Sequence, residues 1–166
     1  RVAAVNFSLL GISNIEVVND SAEHFIESFP GTADLVYADP ARRGEGNRKV
    51  FRFEECSPDI VSLLPAIREK TRRVVVKASP LFDIDEAFRL FGDRITVDIV
   101  SRQGECKEVL IDVPSAPDAP AGSVRAVAAG CGSLVFGRGD GEPAQTSDFE
   151  PPYGYLLVPD VSLCKA

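Results

Sequence analysis

Apolar positions recur along the first 113 residues in two alternating rhythms. Val2, Val5, Leu9 and Leu10 follow helical spacing and Gly11 is a natural stop, so the chain opens on a predicted helix. A short apolar run, "IEVVN", predicts a strand over 15–19. Asp20, with Glu23 three residues on, gives a capping-box-like start to a second helix with Ala22, Ile26 and Phe29 on one face. Pro30-Gly31 ends it, and "ADLVYAD" predicts a buried strand over 35–38. Ser57-Pro58 offers an N-cap and a first-turn proline to a helix striped by Ile60, Leu63, Leu64 and Ile67, in which Pro65 predicts a kink or an early break. "RRVVVKASP" predicts a strand over 73–78, and "DIDEAFRLFG" a helix closed by Gly92. This alternation predicts an α/β fold whose parallel strands are covered by helices on both faces. Then "RITVDIVSR" and "KEVLIDV" are strands over 94–101 and 107–113, separated only by a few residues around Gln103-Gly104. So short a connection requires an antiparallel hairpin.

After Pro114 the pattern changes. "PSAPDAPAG" reads as a linker, and the two β-like stretches "SVRAVAA" and "SLVFG" that follow, with "PPYGYLLVPDVSLCKA", are too few elements for a core of their own. The expected division is 1–114 as the sheet domain and 115–166 as a linker with a small β-containing appendage.

Composition narrows the picture. At 166 residues and 45% hydrophobic the chain can bury one core. A net charge of −7 argues against a protein that coats nucleic acid through its overall field, so any basic site must be local. Such a site is present: Arg42, Arg43, Arg48, Lys49 and Arg52 face one acid, Glu45, a local net of +4. Arginine pairs well with phosphate oxygens, and the loop would suit RNA; its bland reading is a solvated loop, or pairing with Glu54, Glu55 and Asp59. Cys56, Cys106, Cys131 and Cys164 are scattered without a C-x-x-C pair, so neither zinc nor a disulfide framework is indicated, and one histidine, His24, makes no metal site. No apolar run is long enough for a membrane span; the expectation is a cytoplasmic protein without metal or membrane attachment. The chain has no methionine and opens directly on a helix, which suggests an internal piece of a longer protein.

The candidate chemistry centres on "LVYADPARRG". Ligands of open α/β sheets bind outside the carboxyl ends of the strands, and Asp39 lies at such an end with Pro40 stiffening the turn. Asp20 ends the preceding predicted strand in the same way, with helix capping as its plain role. Lys77, at the end of the 73–78 strand, is a further candidate, with snorkelling to the surface as its plain role. Glu105 and Glu108 could place a base near the crevice.

On these residues the chain resembles the Rossmann-like, class I S-adenosylmethionine-dependent methyltransferases. The run from Asn6 to Asp20 is similar to the segment in which an acidic residue faces the cofactor adenine, and "DPARRG" is similar to the DPPY or DPPR-G motif after the fourth strand. "YADPARR", "VFRFEECSPDI", "VVVKASPLFDI" and "ECKEVLIDV" more closely resemble a bacterial group of methyltransferase-like proteins whose carboxyl-terminal part is ferredoxin-like and then THUMP-like. The resemblance implies a partial Rossmann-like methyltransferase sheet followed by a small ferredoxin-like appendage. It also implies S-adenosyl-L-methionine as cofactor and an RNA substrate, tRNA or rRNA. Asp39 and Pro40 would be catalytic, Asp20 and Asp39 would contact cofactor, and Arg42, Arg43, Arg48 and Lys77 would contact substrate. The family's first strand and glycine-rich cofactor loop would precede Arg1, so residues 1–166 alone are expected to bind cofactor poorly and to be inactive. Ala41 and Arg42 replace the second proline and the stacking aromatic of the motif. No cysteine stands in Lys77-Ala78-Ser79-Pro80, which disfavours a covalent C5 mechanism unless Cys56 or Cys106 reaches the site. The alternative is a catalytically silent RNA-binding or protein-interaction module on the same scaffold.

Overall fold

The computed structural model describes residues 2–42, 53, 56–116, 119–138, 140 and 158–166. Its elements in chain order are α1 (Val2–Leu9), α2 (Ala22–Ser28), β1 (Val36–Ala38), β2 (Ala41–Arg42), β3 (Cys56–Ser57), α3 (Ile60–Lys70), β4 (Arg73–Ala78), α4 (Ile84–Phe91), β5 (Thr96–Arg102), β6 (Glu105–Pro114), β7 (Ser123–Ala128), β8 (Gly132–Gly137) and α5 (Val161–Lys165). A six-stranded sheet runs in the order β1-β4-β6-β5-β7-β8, and β2 and β3 form a two-stranded ladder beside it. β1 and β4 are parallel, β6 is antiparallel to both β4 and β5, and β7 runs parallel to β5.

The β5–β6 hairpin follows from its turn. Gln103 and Gly104 both adopt positive φ, 55° and 76°, the primed geometry that matches strand twist in a two-residue loop. Alternation then sorts the strands into two faces. Val74, Val76, Val97, Ile99, Val109, Ile111 and Val113 form one row of inaccessible side chains, and Leu64 and Ile67 of α3 and Phe88 and Phe91 of α4 complete the core. The opposite face is a polar ladder. Arg73 forks onto Asp112 (Nη2···Oδ2 2.6 Å), and Arg125 onto Asp98 (Nε···Oδ1 2.7 Å). The buried apolar residues of α2, α3 and α4 all enter this one core.

The expected strand over 15–19 does not form; 15–19 have no regular structure, and Ile15, Val17 and Val18 are exposed. A strand needs a neighbour to satisfy its backbone groups, and among the described residues β1 pairs only with β4. α1 forms as expected and stops at Gly11, where Ile12 N–H bonds Phe7 C=O and Gly11 N–H bonds Ser8 C=O, yet none of its residues is buried. The N-cap of α2 is Ser21, not Asp20, because the Ser21 side chain accepts from His24 N–H. The N-cap of α3 is Asp59 rather than Ser57, which is instead in β3. Nor does Pro65 break α3, which runs on to Lys70 with Leu64 and Ile67 buried on either side of it. The division at 114 is no division of the sheet: β7 and β8, beyond the proline-rich stretch, extend it from β5. Asp160 caps α5, accepting from Ser162 N–H and from the hydroxyl of Ser101, so the short helix is tied to the sheet.

Candidate functional site

The register of two parallel strands assembles the site. Val36 lies beside Val74 and Ala38 beside Val76, so continuing the count places Asp39 beside Lys77, on the ladder face at the carboxyl ends of both strands. Their side chains meet there, Lys77 Nζ donating to Asp39 Oδ2 at 2.9 Å. Asp39 Oδ1 has no hydrogen bond among the described residues. The lysine is about one-third exposed and the aspartate about half, at 34% and 55% of their side-chain surface. The hydrogen bond to Asp39 and then the charge of Asp39 raise the Lys77 pKa above the ordinary lysine value, with smaller contributions from Tyr37 and Glu108. An ammonium held so firmly is a donor and a positive charge; it is no base at neutral pH.

Pro40 follows at once and ends the β1 ladder, and the chain turns into β2, where Ala41 faces Ser57 and Arg42 faces Cys56. Two residues separated by fourteen positions are thereby adjacent, and Cys56 comes within reach of the motif. Its side chain packs against the core, which does not suit a nucleophile. Cys106 is no better, since burial pushes its thiol pKa up and away from the reactive thiolate. Phe53 is buried, with ring centroids 4.9 Å from Phe82 and 5.4 Å from Phe91. Sequence reading missed this contact; its signal was the alternation of apolar and charged residues in Phe51-Arg52-Phe53-Glu54.

Of the other expected site residues, Asp20 holds its own helix start. Its Oδ1 accepts from Ser21 N–H and its Oδ2 pairs with His24 Nδ1, and it shares no hydrogen bond or ion pair with Asp39 or Lys77. That contact lowers the Asp20 pKa and raises that of His24. Glu105 pairs with Lys107 at the hairpin, whereas Glu108 lies near enough to Lys77 to be felt by it. Arg43, Arg48, Lys49 and Arg52 lie outside the described residues, and of Arg42 only the backbone is described.

S-adenosylmethionine, the cofactor that the resemblance implies, meets only part of what it needs. Asp39 offers a carboxylate oxygen at a strand end, but no glycine-rich turn joins a parallel strand to a helix among the described residues. These residues do not by themselves enclose it. Among them no group of three or more His, Cys, Asp or Glu could hold a metal ion, and no helix is long and apolar enough to cross a membrane.

Sheet order and strand directions together define an α/β fold of the Rossmann-type, methyltransferase-like class. The chain is similar to the crystal structure of a "putative methyltransferase from Porphyromonas gingivalis W83", with a TM-score of 0.58 and 24% sequence identity over 82% of this chain. It spans 35% of the length of that protein. No protein-family model matches the chain, and no curated protein does.

Proposed function

We propose that these residues are the acceptor side of an S-adenosylmethionine-dependent methyltransferase that acts on RNA. The observation that carries this reading is the Asp39–Lys77 pair at the carboxyl ends of two parallel strands. Lys77 holds Oδ2 and leaves Oδ1 to accept from an exocyclic amine, turning the lone pair of that amine toward the methyl donor. Without a reactive thiolate at the site, methylation at nitrogen is favoured over a covalent route to a ring carbon. The basic run from Arg42 to Arg52 supports RNA, because a local net of +4 beside the motif meets phosphate within an acidic chain.

Kinetics on the protein carrying these residues test the reading. Asp39→Ala should lower kcat by about a hundredfold while RNA affinity stays nearly unchanged. Arg42→Ala and Arg43→Ala should do the reverse and flatten the salt dependence of binding by about one unit of slope for each phosphate no longer held. Full turnover in Asp39→Ala overturns the catalytic role. One observation favours the silent RNA-binding module instead: Asp39 already has a charged partner. Calorimetry discriminates, since RNA binding without saturable S-adenosylmethionine binding belongs to the module.

A further inference from the structure

A second cleft, of about 310 Å³, opens at the other end of β4. Phe91, Ile95 and Pro114 form its apolar lining, and Arg68, Arg94 and Ser115 bring polar groups to it. The three come from different parts of the chain: the last turn of α3, the connection from α4 to β5, and the end of β6. Arg73 pairs with Pro114 in the sheet and Lys77 with Leu110, so this cleft and the Asp39–Lys77 pair lie toward opposite strand ends, roughly 13 Å apart along β4 at 3.3 Å per residue.

Among the described residues its side-chain donors lack hydrogen-bond partners. Neither Arg68 nor Arg94 makes an ion pair or hydrogen bond among the described residues, while acids nearby are engaged elsewhere: Asp93 with Arg138, and Asp112 with both nitrogens of the Arg73 fork. Arg68 gains from the negative carboxyl end of α3, as any cation in a last turn does, but that leaves its donors unused. Ser115 N–H bonds Arg72 C=O at 3.0 Å, yet its hydroxyl is shielded from solvent and has no partner among the described residues. An orphaned buried hydroxyl is uncommon in a native fold, and rotation about χ1 re-aims it readily.

We infer that this cleft binds the phosphate group of a phosphorylated ligand. Two arginines that line one cleft from separate elements suit phosphate oxygens, Ser115 Oγ supplies a further donor, and Phe91, Ile95 and Pro114 make the rest of the lining apolar. The site does not depend on methyl transfer. A free mononucleotide and a phosphate within a polynucleotide share this chemistry.

Amide and arginine Nε NMR signals, followed during titration with adenosine, adenosine 5′-monophosphate and a short single-stranded oligoribonucleotide, test it. The monophosphate should shift Arg94, Ser115 and Ala116 where adenosine does not, and Arg68→Ala and Arg94→Ala should each weaken it by about tenfold or more. Shifts with the oligoribonucleotide alone, abolished in the same variants, assign the phosphate to a polynucleotide. Both arginines are exposed, so the variants should keep the wild-type melting temperature. Absence of shifts at these residues with both phosphorylated probes, or equal affinity in the Arg68→Ala/Arg94→Ala double variant, overturns the inference.

Discussion

Gly122→Ala should destabilise the whole protein, and the structure gives the size of the effect. Gly122 leads into β7, its N–H bonding Asp93 C=O at 2.9 Å and its own C=O accepting from Arg138 N–H. A Cβ at this position would stand 2.4 Å from the Asp93 oxygen, 2.9 Å from the Ile95 oxygen and 2.7 Å from Phe88 Cε1. Two of these atoms are backbone. The third belongs to a buried ring that is covered by the Arg138 guanidinium 4.5 Å from its centroid. Relief therefore requires β7 to draw back from β5 by nearly 1 Å, a large step in close-packed structure. Overpacking of this kind costs about 1–3 kcal/mol, and weakening the two backbone hydrogen bonds adds about 1 kcal/mol each. Lower chain entropy in the unfolded state returns about 0.4–1 kcal/mol. The net, about 3 kcal/mol, should lower Tm by about 6–12 °C for a chain of this length. Gly31→Ala is the control, since its Cβ would meet only the Phe29 ring at 3.5 Å, an ordinary contact. Calorimetry on both variants decides. A Gly122→Ala protein that melts within about 2 °C of wild type refutes the steric argument, and a separate low-temperature transition would mean that β7 and β8 unfold apart from the sheet they extend.

Three further outcomes follow from particular contacts. His24 should titrate above its ordinary pKa of about 6.5 and Asp20→Asn should bring it back, because the aspartate is the main cause of the shift. The clasp they form at the start of α2 should hold between the lowered pKa of Asp20 and the raised pKa of His24, weakening as pH rises through the latter or falls through the former; the single histidine makes the NMR titration unambiguous. Asp160→Ala should free α5, lowering Tm and speeding hydrogen exchange at Leu163 and Cys164, whose N–H groups both bond Asp160 C=O, since Ser101 and Ser162 lose the carboxylate that ties the helix down. Pro65→Ala should stabilise the protein by about 1–3 kcal/mol, as it restores an interior N–H to an unbroken helix at an exposed position; an unchanged denaturation midpoint would count against it.

The legible parts of the fold were those that local chemistry decides. Gln103-Gly104 fixed the β5–β6 hairpin, Asp83 and Gly92 bounded α4, and continuous valines marked β4. What stayed hidden depends on partners remote in sequence. The 15–19 run has the composition of a strand, but a strand exists only beside another, and no pattern within five residues supplies one. That β7 would add to β5 across a proline-rich connection was equally invisible, because crossover length does not name the strand it reaches. Asp39 and Lys77 were each legible as strand ends, whereas their contact needed the register that sets Val36 beside Val74. Arg68, Arg94 and Ser115 carried no signal, since none belongs to a motif and only the folded chain brings them to one cleft.

Three carboxylate pairs cross strand seams on the ladder face, and the difference among them bears on function. Asp112 and Asp98 are each held by an arginine fork that reaches both of their oxygens, whereas Asp39 is held by a lysine through Oδ2 alone. The Arg73–Asp112 and Lys77–Asp39 pairs are partly exposed, so each adds only about 0–1 kcal/mol to stability, and at Asp39 the choice of cation has little structural consequence. For an acceptor site it has a large one. Lysine is a point donor that can orient a carboxylate and leave one oxygen open, while arginine tends to bind both. Lys77→Arg preserves charge and should leave Tm within about 2 °C of wild type, yet by occupying Oδ1 it should lower kcat/KM for methyl transfer by about tenfold or more. Lys77→Met removes the orienting donor and should lower kcat while leaving both oxygens accessible. If Lys77→Arg turns over at the wild-type rate, Oδ1 is not where the acceptor binds, and the Asp39–Lys77 pair is a third seam clasp like the other two.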